Sequence, residues 1–173
     1  MKSHILVFLT LTIFISLPIS GYGQHKNIIK AKPFALYDLH NNLIKYSDYE
    51  GEKILILSFF ATWCEPCLKE IKELEEFNKK LEQTRRASQI EILLVSTDKG
   101  RGSKKKVRQF VNKHQIKFKV VHDLYGVMSK GWKVKGLPTL FLITKNGEIV
   151  FRQEGYDERI TEKLNNKIQK LGK

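Results

Sequence analysis

The sequence predicts an α/β domain in which a central mixed sheet carries helices on both faces, with a β-hairpin extension ahead of it. Three observations carry that expectation. Two apolar, β-branched runs, Ile54 to Phe60 and Ile90 to Ser96, are each followed by a segment with helical spacing, the pattern of parallel βα units. A third run, Leu140 to Thr144, meets Ile149 to Arg152 across Lys145-Asn146-Gly147-Glu148, and Asn-Gly is a strong hairpin signal. The 173 residues suffice for one domain with a core and leave no comfortable room for two.

In chain order, Met1 to His4 is a short basic start, Ile5 to Ile19 is almost wholly apolar, and Ser20-Gly21-Tyr22-Gly23 supplies small residues. This predicts a secretory signal peptide over residues 1–23. The apolar run, about 15 residues, is shorter than the roughly 20 that a spanning helix needs, so an uncleaved anchor is the second reading. No cysteine follows the run to carry a lipid. Residues 24–32 read as a flexible linker and 33–173 as the folded domain. Phe34 to Leu39 alternates, His40-Asn41-Asn42 turns, and Leu43 to Tyr46 resumes, giving the N-terminal hairpin. Ser47 to Gly51 connects it to the central strand.

After Cys67, apolar residues at Leu68, Ile71, Leu74, Phe77 and Leu81 mark one face of a helix that ends in the polar stretch Gln83 to Gln89. The strand Ile90 to Ser96 closes at Thr97-Asp98, and Ser103 is placed as the N-cap of the next helix. Val107, Phe110, Val111 and His114 form that helix's apolar face, with His114 near its C-terminal dipole. Phe118 to Asp123 reads as a short strand and Leu124 to Val134 as a brief helix interrupted by Gly131. Ile160, Leu164, Ile168 and Leu171 predict a closing amphipathic helix.

The formal charge is +13, and +12 once residues 1–23, with one lysine and no acid, are set aside. Such a balance suits an acidic partner, nucleic acid or an anionic surface. Apart from one cluster, Lys99 to Arg108, the cations are scattered, so a solvated basic surface with no nucleic-acid partner is expected.

Both cysteines lie in Cys64-Glu65-Pro66-Cys67, between the apolar strand and a helix. A disulfide across so short a loop adds little stability, so the pair is catalytic or metal-binding rather than a staple. Zinc needs further ligands, and the five histidines are dispersed, so no metal site is expected. A helix N-terminus offers unpaired N–H groups and a positive dipole end, which favour a thiolate. Cys64, nearest the exposed end, is expected to be the nucleophile, and Cys67, a turn further in, to resolve the mixed disulfide. Glu65 sets a negative charge beside Cys64, which works against the dipole and points to a moderately reducing pair.

Trp63-Cys64-Glu65-Pro66-Cys67 after an apolar strand, with Gly136-Leu137-Pro138-Thr139 later, resembles the thioredoxin superfamily. The N-terminal hairpin, Glu70, Val95 to Asp98, His122 to Gly126 and Lys133 to Gly155 narrow the likeness to TlpA/ResA-type exported thiol-disulfide oxidoreductases. The resemblance covers nearly everything from Phe34 onward. It implies a thioredoxin-like fold, a redox-active Cys64–Cys67 disulfide with no other cofactor, and a cis Leu137–Pro138 bond beside it. It further implies that Trp63, Glu65, Pro66, Leu137 and Pro138 meet the substrate, with Trp63 at the rim rather than in the core.

The chain departs from the pattern at two places. Thioredoxin's buried aspartate is replaced by Ser58, and the resemblance transfers the proton-handling role to Glu70, against the alternative of a surface glutamate. Lys72 stands where the family often has a helix-kinking proline, so the helix is expected to run straighter. The implied activity is reduction of disulfides in client proteins, in a role such as cytochrome c maturation, with electrons from a membrane donor. The implied location is the periplasm or another extracytoplasmic space. A disulfide-forming oxidant of the DsbA type is expected to carry a helical insertion and a histidine where Pro66 stands. A peroxidase is expected to have threonine where Ala61 stands. A copper metallochaperone using the two thiolates lacks an evident third ligand.

Overall fold

The computed structural model describes residues 28–171. The expected signal peptide and the first part of the expected linker lie outside them. Residues 29 to 31, read as linker, pair with the terminal hairpin: Ile149 N donates to Ile29 O, and Ala31 N donates to Gly147 O, both at 2.8 Å.

The chain runs β1 (Ala35–Tyr37), β2 (Leu43–Lys45), β3 (Ile54–Phe60), α1 (Glu65–Glu82), β4 (Ile90–Ser96), α2 (Ser103–His114), β5 (Lys119–His122), α3 (Val127–Gly131), β6 (Thr139–Ile143), β7 (Ile149–Glu154) and α4 (Ile160–Leu171). β1 and β2 form a small antiparallel pair, joined to the main sheet by an isolated bridge from Asp38 to Val121. The main sheet has the order β5-β4-β3-β6-β7, with β4 parallel to both β3 and β5, and β6 antiparallel to both β3 and β7. This is the mixed α/β sheet that the hydrophobic pattern predicts. Among the described residues no helix is long and apolar enough to cross a membrane.

β3 is central because it is apolar on both faces, as a strand covered on two sides must be. Its alternation sends Ile56 and Phe60 toward α1, α2 and α4, while Leu55, Leu57 and Phe59 enter the opposite layer. That second layer is closed by α3, by Phe34 and Ile44 of the hairpin region, and by Tyr46 and Tyr49. Trp132 and Phe141 meet edge-on, with ring centroids 5.2 Å apart, and both lean on Phe59. Each such fully buried side chain contributes about 1.5–3 kcal/mol of transfer free energy.

Two local expectations are corrected, and the placing of His114 at a helix end holds. The N-cap of α2 is Gly102, not Ser103: the chain enters the helix at φ 80°, a left-handed value that glycine adopts without strain. Ser103 is instead the first helical residue, buried with its Oγ 3.3 Å from His122 Nε2. The expected 124–134 helix shrinks to α3, because the Asp123 carboxylate accepts from the Met128 and Ser129 amides and sets its start. His114 does end α2, yet burial together with the charges of Lys113 and Lys72 holds its pKa below the ordinary histidine value. Desolvation and like charge outweigh the dipole there.

Candidate functional site

β3 delivers the chain through Ala61-Thr62-Trp63 to the N-terminus of α1. Cys64 is the N-cap, with extended backbone, and its Sγ accepts from Cys67 N at 3.2 Å, where a capping oxygen would ordinarily sit. Pro66 occupies the first turn, where its missing N–H leaves no helical bond unmade. Cys64 and Cys67 are joined as a disulfide with Cα atoms 5.3 Å apart. Cys64 keeps 6% of its surface exposed, and Cys67, behind it, keeps none.

Cys64 opens on a groove of about 920 Å³. Trp63, Glu65 and Pro66 line it together with Lys99, Lys135 and Leu137. Trp63 is 76% exposed, which places it on the rim and not in the core. Leu137–Pro138 is a cis peptide. Leu137 lines the groove and is half-buried, while Pro138 is buried behind it and does not line the groove. Glu65 is exposed and pairs with Lys69 at 3.6 Å, a surface pair worth little. Among the described residues no group of three or more His, Cys, Asp or Glu side chains is arranged to hold a metal ion.

Glu70 lies one turn beyond Cys67 in α1, which runs unbroken past Lys72. It is fully buried, not a surface residue. Ser58 Oγ donates to its Oε1 at 2.6 Å, and its Oε2 has no partner. Burial pushes the Glu70 carboxyl up to about 7; the Ser58 hydrogen bond works the other way, and the Glu73 charge adds to the rise. The site therefore holds a carboxyl that titrates near neutrality, one helical turn from Cys67.

Sequence reasoning treated Ser58 only as a missing aspartate, whereas here its hydroxyl holds Glu70. The signal was present: Cys67, Glu70, Ile71 and Leu74 follow helical spacing, and Ser58 shares its strand face with Ile56 and Phe60. Ser58→Ala is expected to move the Glu70 carboxyl above about 7, because it removes the one influence that lowers it. Side-chain ¹³C titration of Glu70 checks this; a downward shift or none would contradict it.

Asp98 also escaped the sequence reading. It is buried, and its carboxylate accepts from Thr62 Oγ1 at 2.6 Å, Thr62 N at 3.0 Å and Ser96 Oγ at 2.9 Å. Its carbonyl accepts from His122 Nε2 at 2.8 Å. The end of β4 thus pins the residue just before Trp63 and holds the turn that presents Cys64.

The profile of the AhpC/TSA family matches residues 29–152. The thiol-disulfide oxidoreductase ResA of Bacillus thuringiensis is 32% identical over 142 residues, covering 82% of this chain and 76% of the relative. ResA of Geobacillus kaustophilus is 30% identical over 158 residues, covering 86% of each. Among solved structures, one from Chlorobium tepidum assigned as a thiol:disulfide interchange protein DsbE superposes with a TM-score of 0.71 at 28% identity, over 81% of this chain and 93% of its own. A Bacteroides fragilis thiol-disulfide oxidoreductase shares the fold with a TM-score of 0.68. With Cys64 and Cys67 at the head of α1, the chain belongs to the AhpC/TSA family, among its ResA-like thiol-disulfide oxidoreductases.

Proposed function

We propose that this chain is an exported reductase of client-protein disulfides, cycling between the Cys64–Cys67 dithiol and disulfide. The observation that carries the reading is the asymmetry of the pair: Cys64 faces an open groove, and Cys67 is sealed behind it, one helical turn before a buried carboxyl raised to about 7. In the reduced protein the Cys64 thiolate attacks a client sulfur. The client S–S bond breaks, one client thiolate leaves and takes a proton, and a Cys64–client disulfide forms. Cys67 then gives its proton to Glu70, attacks Cys64 Sγ, and expels the second client thiolate. The protein ends as the disulfide and is reduced again by a dithiol donor, in this reading a membrane protein. An extended client segment lies along Trp63 on one side and Gly136-Leu137 on the other, with Glu65, Pro66 and Pro138 completing the surroundings. Cytochrome c maturation is a client role consistent with the ResA likeness, and the signal-like composition of residues 1–23 supports export.

The test mixes fully reduced protein with a disulfide-bonded polypeptide and counts thiols on both after acid quenching. One protein disulfide should appear for each client disulfide reduced. Protein thiols that persist while the client stays oxidised would overturn the proposal.

A further inference from the structure

The Lys99 to Arg108 cluster begins at the redox groove. Lys99 and Lys135 line it beside Cys64, and neither makes an ion pair among the described residues. Among the acids nearby, Glu65 lines the groove with its carboxylate exposed, and the others are engaged elsewhere. Glu65 pairs with Lys69 at 3.6 Å, and Glu154, beside Gly136, pairs with Arg152 at 3.2 Å. Asp98 turns inward to Thr62 and Ser96, and Asp123 turns inward to the α3 amides. The groove therefore sets two lysines, Lys99 and Lys135, against one exposed carboxylate, Glu65, a net positive balance next to the reactive sulfur.

Lys99 also connects the groove to an apolar ridge. A Cβ at Gly126 would stand 2.9 Å from Lys99 Nζ, so the absence of a side chain there lets Lys99 lie across the start of α3. On either side of Gly126, Tyr125 is 85% and Val127 is 72% exposed. Both border a second cleft with Tyr37 and Lys104. Large apolar side chains held out to solvent beside a cationic groove make a mixed surface of the kind that proteins use for partners.

We propose that the polypeptide that exchanges with Cys64 is an acidic segment, its carboxylates set against Lys99 and Lys135 and an apolar side chain seated on the Tyr125–Val127 ridge. The proposal rests on the reading that Cys64 exchanges disulfides with polypeptides, and it specifies their chemistry. Complementary charge acts mainly on encounter: electrostatic steering raises association rates by about 10–10³ and weakens with salt. Thioredoxin-type exchange begins with a bimolecular attack, so the second-order rate constant reports the effect.

The test uses two peptides with the same internal cystine loop, one flanked by Asp, Glu and Leu, the other by Lys, Ser and Leu. Each is mixed with the reduced protein at low and high salt. The acidic peptide should react about tenfold faster at low salt, with the ratio falling toward one as salt screens the groove. Lys99→Glu should lower that ratio about fivefold or more. Lys170→Glu makes the same change of net charge next to Leu171, which lines a different groove at the Ile54 end of β3, and should leave the ratio unchanged. Tyr125→Ser should slow the acidic peptide and have no effect on a version with Leu replaced by Ser. Equal rates for the two peptides, or equal effects of Lys99→Glu and Lys170→Glu, would overturn the acidic-partner proposal while leaving the oxidoreductase reading intact. Reaction with neither peptide would instead overturn the polypeptide-exchange reading on which it rests.

Discussion

Cys67→Ser is expected to arrest the protein as a Cys64–client mixed disulfide, with turnover falling to the uncatalysed background. Cys64→Ser should lose turnover as completely but accumulate no covalent complex. The difference follows from position: Cys64 faces the groove, whereas Cys67 is fully enclosed in the core behind it. A serine at 67 cannot displace the client, because its hydroxyl is a far weaker nucleophile than a thiolate at neutral pH. Both variants lose the same short disulfide loop, but serine at 64 keeps an N-cap oxygen whereas serine at 67 buries a hydroxyl in the core. The folded fraction of each variant, read by circular dichroism, therefore normalises the comparison. Mass spectrometry of acid-quenched mixtures reads the result. A stable adduct with Cys64→Ser and none with Cys67→Ser would reverse the assigned roles.

Glu70→Gln should slow resolution of the mixed disulfide by about 10²-fold and remove the inflection near pH 7 from its rate profile, because general-base assistance is lost. The same substitution has a thermodynamic signature of fixed sign. The folded protein holds the Glu70 proton up to about 7, against an ordinary glutamate value of 4.5. Between those values the folded state binds more protons than the unfolded state, so stability falls as pH rises through this window and is flat on either side. The full penalty, present above about pH 7, is about 3 kcal/mol. Glutamine carries no charge and escapes it. The variant should therefore exceed the parent in urea-unfolding free energy at pH 8, with the gap closing near pH 4.5. A variant less stable at pH 8 than at pH 4.5, relative to the parent, would show that the carboxylate is better accommodated than its burial implies.

Strand and helix periodicities made the sheet, its parallel centre and the terminal hairpin legible, because burial on one or both faces imposes its period on the sequence. Local geometry was less legible where a distant group decides it. The start of α3 is set by Asp123 from the strand before it, and that of α2 by the backbone angle of Gly102. Cys64, Cys67 and Glu70 were visible as motif residues, but Glu70 acquires its character from burial, and it is held by Ser58, 12 residues earlier and on another element. Thr62 and Asp98 are 36 residues apart, so their pairing has no local signature. Pro138, expected to meet substrate, stands behind Leu137 in the groove wall.

The reductase direction is tested most directly by the reduction potential of the Cys64–Cys67 pair, obtained by equilibrating the protein with glutathione or thioredoxin buffers and counting free thiols. A value near or below about −230 mV, in the range of glutaredoxins and thioredoxin, is the result expected of a donor of electrons to client disulfides. A value near about −120 mV, where DsbA lies, would contradict it and make the chain a source of client disulfides instead.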